Sequence, residues 1–586
     1  MKRYNDKKSY DRRFAVDFFS SFSRFIVDSC SIRRQFLWFF SLAMLFQVGA
    51  FAAPVKKEEQ PCKRAAIEKC QGLVLVGSVD DVLTRGLHKI HGLVVIHLAI
   101  PGGSDALQQV LNPIYLNKKI NKATIAKLKS AIAKYYKDHK HPLVMVTVPE
   151  QDVTEGVLQL VVTEGRVGKV SVEGNQWFGS KRLSDYLRLK PNEEIDEDHL
   201  MEDLSFINRN PYRKVDVIYA PGEKSGTTDV KLLAADHWPW RFYLGGENTG
   251  VQATGRQRWI AGINWANAWG LDHILAIQYS TSSDFKKFQA YTGQYQAPLP
   301  WRHVLNFYGG YSQVRVDLPF PDMKNHGSSI QVSGRYMVPL GAWRHWIHEV
   351  YGGLDWKRTN NTVEFGGLAP PVVAQNANLF QGMAGYAGNY DASWARISMD
   401  WELFFSPLQF LPNQTHTDYN NLTPGAKPVY IYSRTSWSFL FRLPADCSLS
   451  TVLRGQLSSA NLLPTEQYGI GGYSSVRGYE ERQLNYEQAA LASLELRSPS
   501  IGLAKRYVKL NDAIQFLTFI DWGWGRHQQK IAGQVNADYL AGVGVGARYA
   551  IDHYLSGRLD WGYKLKKQSG FGGGTNLLHF SLIASY

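Results

Sequence analysis

A carboxylate set inside an apolar run is the first candidate for chemistry. In Phe519-Ile520-Asp521-Trp522-Gly523, period-two alternation puts Phe519, Asp521 and Gly523 on one face of a strand, and Ile520, Trp522 and Trp524 on the other. If the second face meets lipid, Asp521 must turn inward, because an ionised group at lipid depth is costly. A carboxylate buried there needs a cationic partner, and the planar fork of an arginine suits it. Other candidates are weaker. Gly542-Val543-Gly544-Val545-Gly546 shares the composition of a nucleotide-binding loop, but no helix follows it. Glycines at this spacing fall on one strand face and leave room there or permit curvature. The 16 histidines are scattered, and Asp236-His237-Trp238-Pro239-Trp240 has neither metal-ligand spacing nor a nucleophile. No catalytic residue, metal site or cofactor is expected.

The elements that would position Asp521 are constrained by composition. The chain has 586 residues, 44% hydrophobic and 20% charged, with 52 Gly, 17 Trp and 31 Tyr. This excludes disordered, collagen-like and cysteine-stapled classes. Mean hydropathy is −0.27, and beyond residue 53 no apolar run approaches the ~20 residues of a membrane helix. A membrane β-barrel passes that test, because its strands alternate lipid-facing and lumen-facing residues.

Residues 1–52 read as a signal peptide. Nine Lys and Arg precede an apolar segment from Phe36 to Ala53, which closes on Ala50-Phe51-Ala52, an A-x-A cleavage pattern. Removing it lowers the net charge from +14 to +9, modest for a chain this long and without a Lys/Arg run that would suggest nucleic acid. Cys62 and Cys70 in the 53–71 segment are open to two readings, a disulfide or two free thiols.

Residues 72–165 and 166–235 are mixed α/β. Short apolar runs at Gly72 and at Leu93 to Leu98 precede a helical period through Ile125, Leu128, Ile132 and Tyr135, then strands at Pro142 to Val148 and Val157 to Thr163. The second segment repeats the grammar: a strand at Val167 to Val172, helices at Ser180 to Leu187 and Asp198 to Asn208, and strands at Val215 to Tyr219 and Asp229 to Leu233. From Trp238 to Tyr586 alternation replaces the helical period. Trp259, Ala261, Ile263 and Trp265 oppose Arg258, Ile260, Gly262 and Asn264; at the end, Leu578, Phe580, Leu582, Ala584 and Tyr586 oppose His579, Ser581, Ile583 and Ser585. Apolar outside and small or polar inside is the pattern of a lipid-embedded barrel, with Phe580 and Tyr586 as its terminal signal.

The wording of several segments is recognisable. Pro149-Glu150-Gln151, Gly156-Val157-Leu158, Glu164-Gly165-Arg166-Val167 and Asn208-Arg209-Asn210-Pro211 resemble the junction region of the paired periplasmic POTRA domains in TpsB transporters of two-partner secretion, the ShlB/FhaC/HecB-like family. Val476-Arg477-Gly478-Tyr479, after Gly469-Ile470-Gly471-Gly472-Tyr473, resembles the tip of that family's long sixth extracellular loop, and Phe519, Asp521 and Gly523 its F-x-D-x-G strand motif. The resemblance implies a transmembrane antiparallel β-barrel of 16 strands over 238–586, preceded by two periplasmic α/β POTRA domains. It also implies a loop around 465–485 folded into the barrel, with Arg477 as the partner of Asp521. About 22 residues per strand accommodate such a barrel.

The function so implied is an outer-membrane pore exporting an unfolded TpsA-like exoprotein, adhesin or cytolysin, from the periplasm of a Gram-negative-type bacterium, with lipid and no nucleic acid as further partner. POTRA strand edges suit capture of an extended client by strand addition. The alternatives are a BamA-type barrel assembly factor and a passive porin. The chain departs from the family at its start, where about 19 residues between Ala53 and the first strand are few for a pore-plugging helix and a linker of ~1.5 Å per helical residue.

Overall fold

The computed structural model describes residues 69–586, apart from positions 142 and 344 and the stretches 225–226, 318–322, 366–372, 504–510, 531–532 and 568–573. The expected signal peptide, the segment before residue 69 and Cys62 lie outside the described residues. The chain divides into two units on either side of the His237/Trp238 bond.

The N-terminal unit holds two small α/β layers. In the first, β1 (Gly72–Val76), β2 (Gly92–Ile96), β3 (Val144–Thr147) and β4 (Val157–Glu164) form a sheet in the order β2-β1-β4-β3. Helices α1 (Ser104–Tyr115) and α2 (Lys122–Asp138) cover one face of it. Both bury an apolar stripe, Leu107, Leu111 and Tyr115 from α1 and Leu128, Ile132, Tyr135 and Tyr136 from α2, against Leu73, Leu75, Leu158, Leu160 and Val162. The sequence reading did not find α1. Its stripe repeats every four residues, but Pro113 within it and Gly102-Gly103 before it look like breakers. The apolar run from Leu93 does form a strand, at 92–96, and it lies parallel to β1 on the sheet edge.

The second layer has β5 (Arg166–Glu173), α3 (Ser180–Asp185), α4 (Glu197–Ile207), β6 (Arg213–Pro221) and β7 (Thr227–Asp236), with sheet order β5-β7-β6. Asn208 joins α4 to β6 by pairing its side-chain amide with the Val215 backbone, at 2.9 Å to the carbonyl and 2.7 Å from the N–H. Asp236, at the head of the Asp-His-Trp-Pro-Trp stretch, accepts the backbone N–H groups of Gln176, Trp177 and Phe178 at 2.8–3.0 Å, so its carboxylate closes a turn.

Pro149, Glu150 and Gln151 sit elsewhere than expected. They lie in the connection between β3 and β4 of the first layer, and the junction is the single residue Gly165 between Glu164 and Arg166. Gln151 pairs its amide with the backbone of Gln159 at 2.7 and 2.8 Å, and the Gln159 side chain does the same for Leu83 at 2.7 and 2.8 Å. Two amides in series thus tie the loop before β4 and the loop after β1 to the sheet. Sequence position suggested a junction, whereas hydrogen bonding makes this a brace within one layer.

From Trp240 onward, sixteen strands close into an antiparallel barrel, β8 (Trp240–Glu247) through β18 (Ser448–Ser458) and β21 (Gln488–Arg497) through β25 (Asn576–Ser585). Closure joins β8 to β25 with Leu582 opposite Gly246, and the backbones of Phe242 and Tyr586 exchange two hydrogen bonds of 2.9 Å. Phe580 and Tyr586 take the outer face, while His579 and Ser581 are buried within. Ile520 and Trp522 are 49% and 42% exposed on the outside, whereas Asp521 is fully buried. Trp269, Trp301, Trp343 and Trp394 stand exposed in four successive short turns at one rim, where a ring with an apolar body and a polar N–H suits a membrane interface.

The junction at Gly165 is tight and acidic. A Cβ there would meet Thr228 and Leu143 at 2.9–3.1 Å. Burial, reinforced by the neighbouring Glu194, raises the Glu164 carboxyl from its ordinary 4.5 to about 7; Tyr136 and Arg166 also face it, and His141 lies 3.7 Å from Glu194. A carboxyl raised in the fold favours the folded junction below its ordinary value, and that contribution is lost as pH climbs through the raised one. Hydrogen-exchange protection of the Gly165 and Val167 amides should therefore fall between pH 5 and pH 8 in the intact protein and stay level in Glu164→Gln. Equal protection across that range in the wild type would contradict this.

Candidate functional site: an arginine-held loop inside the barrel

The connection between β18 and β21 runs over 459–487 and carries the short hairpin β19 (Tyr468–Ile470) and β20 (Leu484–Tyr486). Its tip, Val476 to Tyr479, is buried among wall residues of β21, β22 (Asp512–Arg526), β23 (Ala537–Ile551), β24 (Leu555–Lys564) and β25. Ile470, Val476 and Tyr479 bury their apolar surface with Leu484, Tyr486, Leu491 and Leu540. Burial of this apolar cluster helps drive the loop inward, and the polar contacts fix where it stops.

Arg477 is 2% exposed. Its Nε donates to Asp521 Oδ2 at 2.7 Å and its Nη2 to Oδ1 at 2.8 Å, while the Arg477 backbone N–H reaches Oδ2 at 3.0 Å. The remaining fork is taken by Glu495, with Nη1 2.6 Å from Oε1. Ser493 donates to Asp521 Oδ1 at 2.6 Å. The guanidinium carbon lies 3.4 Å from the ring centroid of Phe519. Each member of the strand motif therefore has a physical part: Phe519 is the platform under the cation, Asp521 fills its fork, and Gly523 gives clearance, since a Cβ there would come within 2.6 Å of Ile470 and 3.0 Å of Val476.

The neighbouring residues extend the arrangement. Gly478 adopts a φ of +95°, a left-handed conformation that glycine takes without strain, and its N–H donates to His579 Nε2 at 3.1 Å. The His579 imidazole must then be neutral with its proton on Nδ1. A Cβ at Gly562 or Gly542 would overlap the backbone of Arg477 and Gly478, so these two glycines form a seat for the tip, while Gly544 and Gly546 give clearance to Phe519, Trp561 and Asp560 on the wall. Tyr479 donates its hydroxyl to the Lys566 carbonyl at 2.7 Å, with the Ala541 carbonyl 2.9 Å away.

Sequence reasoning found Arg477 and Asp521 but missed the surrounding charges. Asp560 receives Arg548 at 2.8 and 3.1 Å and Arg558 at 2.6 Å, and Arg497 holds the far oxygen of Glu495. Four arginines thus face three carboxylates, each of which has an arginine of its own. Arg558 also donates to the Tyr473 carbonyl at 2.8 Å and lies 3.8 Å over its ring, which adds a hold below the tip. The usable signal was alternation: Glu495, Arg548, Arg558 and Asp560 fall on the inner faces of their strands, where ionised residues are tolerated.

This lumenal loop, with the two α/β layers before the barrel, is the arrangement that the comparisons address. The sequence model of the haemolysin secretion/activation protein family ShlB/FhaC/HecB matches residues 226–549. The chain belongs to this family. A POTRA domain of ShlB type matches residues 98–165. Among characterised relatives, the outer membrane transporter CdiB of Dickeya dadantii is 24% identical over 451 residues, covering 75% of this chain and 77% of that protein. The heme/hemopexin transporter protein HuxB of Haemophilus influenzae is 22% identical over 467 residues, covering 76% and 78%. The solved structure of CdiB from Escherichia coli overlays with a TM-score of 0.70 at 16% identity, covering 91% of this chain and 93% of that one. CdiB from Acinetobacter baumannii overlays with a TM-score of 0.59 at 18% identity, covering 97% and 99%. The protein is a two-partner secretion transporter of the outer membrane, with its POTRA region on the periplasmic side.

In the transporter, Arg477→Ala leaves Asp521 buried without its cation and removes one of the two arginines bonded to Glu495, a loss of about 3–5 kcal/mol for a buried pair. Arg477→Lys should recover only part of it, because an ammonium cannot fill a carboxylate fork and stack on Phe519 together. With the native cysteines replaced by serine, a cysteine placed at the buried Ser475 should be alkylated at least ~10-fold faster in Arg477→Ala and in Gly542→Val than in the parent. Equal rates would show that these contacts do not hold the tip.

Proposed function

We propose that this transporter moves one large partner protein, as an unfolded chain, from the periplasm to the cell surface, and that the lumenal loop narrows the conduit at rest. The observation that carries the reading is the tip of that loop, buried against the wall by Arg477 and Asp521 in a barrel whose chain also carries POTRA layers. A passive porin has no use for either feature. The relatives named as transporters support it too.

Capture falls to the POTRA layers. Each sheet ends in edge strands, β2 and β3 in the first and β6 in the second, where the start of β5 is instead paired with Asn192 and Glu193, and an open edge can accept an extended client as a further strand. Met145 on β3 and Ile218 on β6 expose apolar surface beside those edges. Main-chain pairing is tolerant of sequence, so the client stays unfolded while bound. Inside the barrel, β10 (His273–Ser282), β11 (Phe288–Pro298) and β12 (Val304–Asp317) turn Gln278, Ser280, Thr292, Gln294 and Asn306 inward. Amides and hydroxyls exchange hydrogen bonds readily with a passing backbone. The outer face, with its rim of tryptophans, meets lipid. The outer membrane has no ATP supply, so folding of the client outside gives the movement its direction.

Surface display of a co-expressed partner exoprotein tests this reading. Wild type should display it, while Arg477→Ala and Asp521→Ala, present at normal abundance as heat-modifiable barrels, should cut display by ~10-fold or more. Undiminished display together with loss of other barrels from the membrane would instead make the protein an assembly factor.

A further inference from the structure

The loop is held at a second place. Glu466, in the stem of the loop before β19, is fully buried. Its carboxylate accepts from Lys357 Nζ, from the Tyr432 hydroxyl, and from Gln381 Nε2 at 3.2 Å. Its backbone carbonyl accepts from Arg434 Nη2 at 2.7 Å and from Gln456 Nε2 at 3.1 Å. Lys357 belongs to β14 (Trp346–Phe365), Gln381 to β15 (Val373–Asp391), and Tyr432 and Arg434 to β17 (Tyr430–Arg442).

The wall is organised to receive that carboxylate. Arg335, on β13 (Met323–Pro339), donates to Asp355 Oδ1 at 2.6 Å, and Gln381 Nε2 donates to Asp355 Oδ2 at 2.9 Å. Tyr430 donates to Gln381 Oε1 at 2.8 Å, which sets the amide with its N–H groups toward the two carboxylates. Arg335 is thereby matched by Asp355, and Lys357 is matched by Glu466. Lys357, Gln381, Tyr430 and Tyr432 are all buried, and their hydrogen bonds with one another and with Asp355 come from the wall itself. Glu466 alone arrives from the loop. A buried lysine and two oriented neutral donors converging on one acid form a carboxylate receptor.

The two holds lie on different parts of the wall. Glu466 engages β14, β15 and β17, whereas Arg477 engages β21 and β22 and Gly478 engages β25. Eleven positions of sequence separate the two side chains, so the segment between them bridges two sectors of the barrel. Releasing one hold leaves the other unbroken. We propose that Glu466 is a second positioning residue of the loop, seated in the Lys357/Gln381/Tyr432 receptor, and that the loop withdraws from the lumen only when this hold and the Arg477 hold are both released. The proposal rests on the reading that the loop narrows the conduit. It reassigns the gate from one arginine to a pair of holds that act jointly.

Single-channel conductance of the purified full-length protein in planar bilayers tests this without any client, so a failure of the export reading leaves the test standing. Glu466→Gln and Arg477→Ala should each change the mean conductance by less than about twofold, and the double variant should raise it by about fivefold or more. Lys357→Met, which empties the receptor from the wall side, should replace Glu466→Gln with the same result, including in a case where Glu466→Gln fails to accumulate as a folded barrel. Exchanging the charges, with Lys357→Glu and Glu466→Lys together in the Arg477→Ala background, should return the conductance toward that of Arg477→Ala alone, which general loosening of the barrel would not do. A double variant no more conductive than Arg477→Ala, or an Arg477→Ala channel already fully open, overturns the proposal.

Discussion

A guanidinium taken out of bulk water must find partners for its nitrogens, and inside this barrel all three side-chain nitrogens of Arg477 have one. Asp521 and Glu495 fill the fork from two adjacent strands, Phe519 lies against its face, and the loop backbone joins the same carboxylate. The pairing is more demanding than an apolar contact because it fails if either side shifts by an ångström. The loop's path, the glycine seat under it and the register of β21 against β22 all follow from meeting that requirement. Ser493 stands opposite Asp521 and Glu495 opposite Phe519, so a slip of one residue would turn the carboxylates to lipid.

The barrel meets lipid and water with the same strands, and this explains how so many ionised groups coexist with an apolar exterior. Alternation gives each strand one face for each medium. On the outside stand Ile520, Trp522 and Leu582; on the inside, one position away, stand Asp521, Gly523 and Ser581. Charges concentrate where the loop needs them, in the sector from β21 to β25 and around Glu466. The POTRA layers obey a different constraint. Each has a small core, and side-chain amides such as Gln151, Gln159 and Asn208 brace backbone groups that the short sheets leave over.

Much of this was legible in the chain because the periods are strong. Alternation through Trp259 to Trp265 and through Leu578 to Tyr586 has one structural solution when the flanking residues are aromatic and the run is long. The helix through Ile125, Leu128, Ile132 and Tyr135 is equally plain. Helix α1 was not, because Pro113 and the paired glycines before it outweigh a stripe of three residues, and only packing on the sheet shows that the stripe is buried. Pro149 to Gln151 was recognised as a motif and misplaced, since a resemblance carries residue types but not the hydrogen bonds they make. Arg477 and Asp521 were found through family motifs. Glu495, Asp560, Arg558, His579 and Glu466 were not, because each reads alone as one polar residue on a polar face.

The sequence by itself determined the class of the segments from residue 72 onward: mixed α/β units, then an antiparallel membrane barrel, with Asp521 turned inward. These follow from periodicity and from the cost of charge in lipid, both local properties of the chain. Only the tertiary structure decided which arginines face Glu495 and Asp560, that Gly542 and Gly562 form a seat, and that Glu466 meets Lys357 109 positions away in sequence. The reason is that closure of sixteen strands and the inward turn of one loop bring together side chains far apart in the chain, and pairing across such distances is set by register and curvature of the whole barrel, which no local pattern encodes.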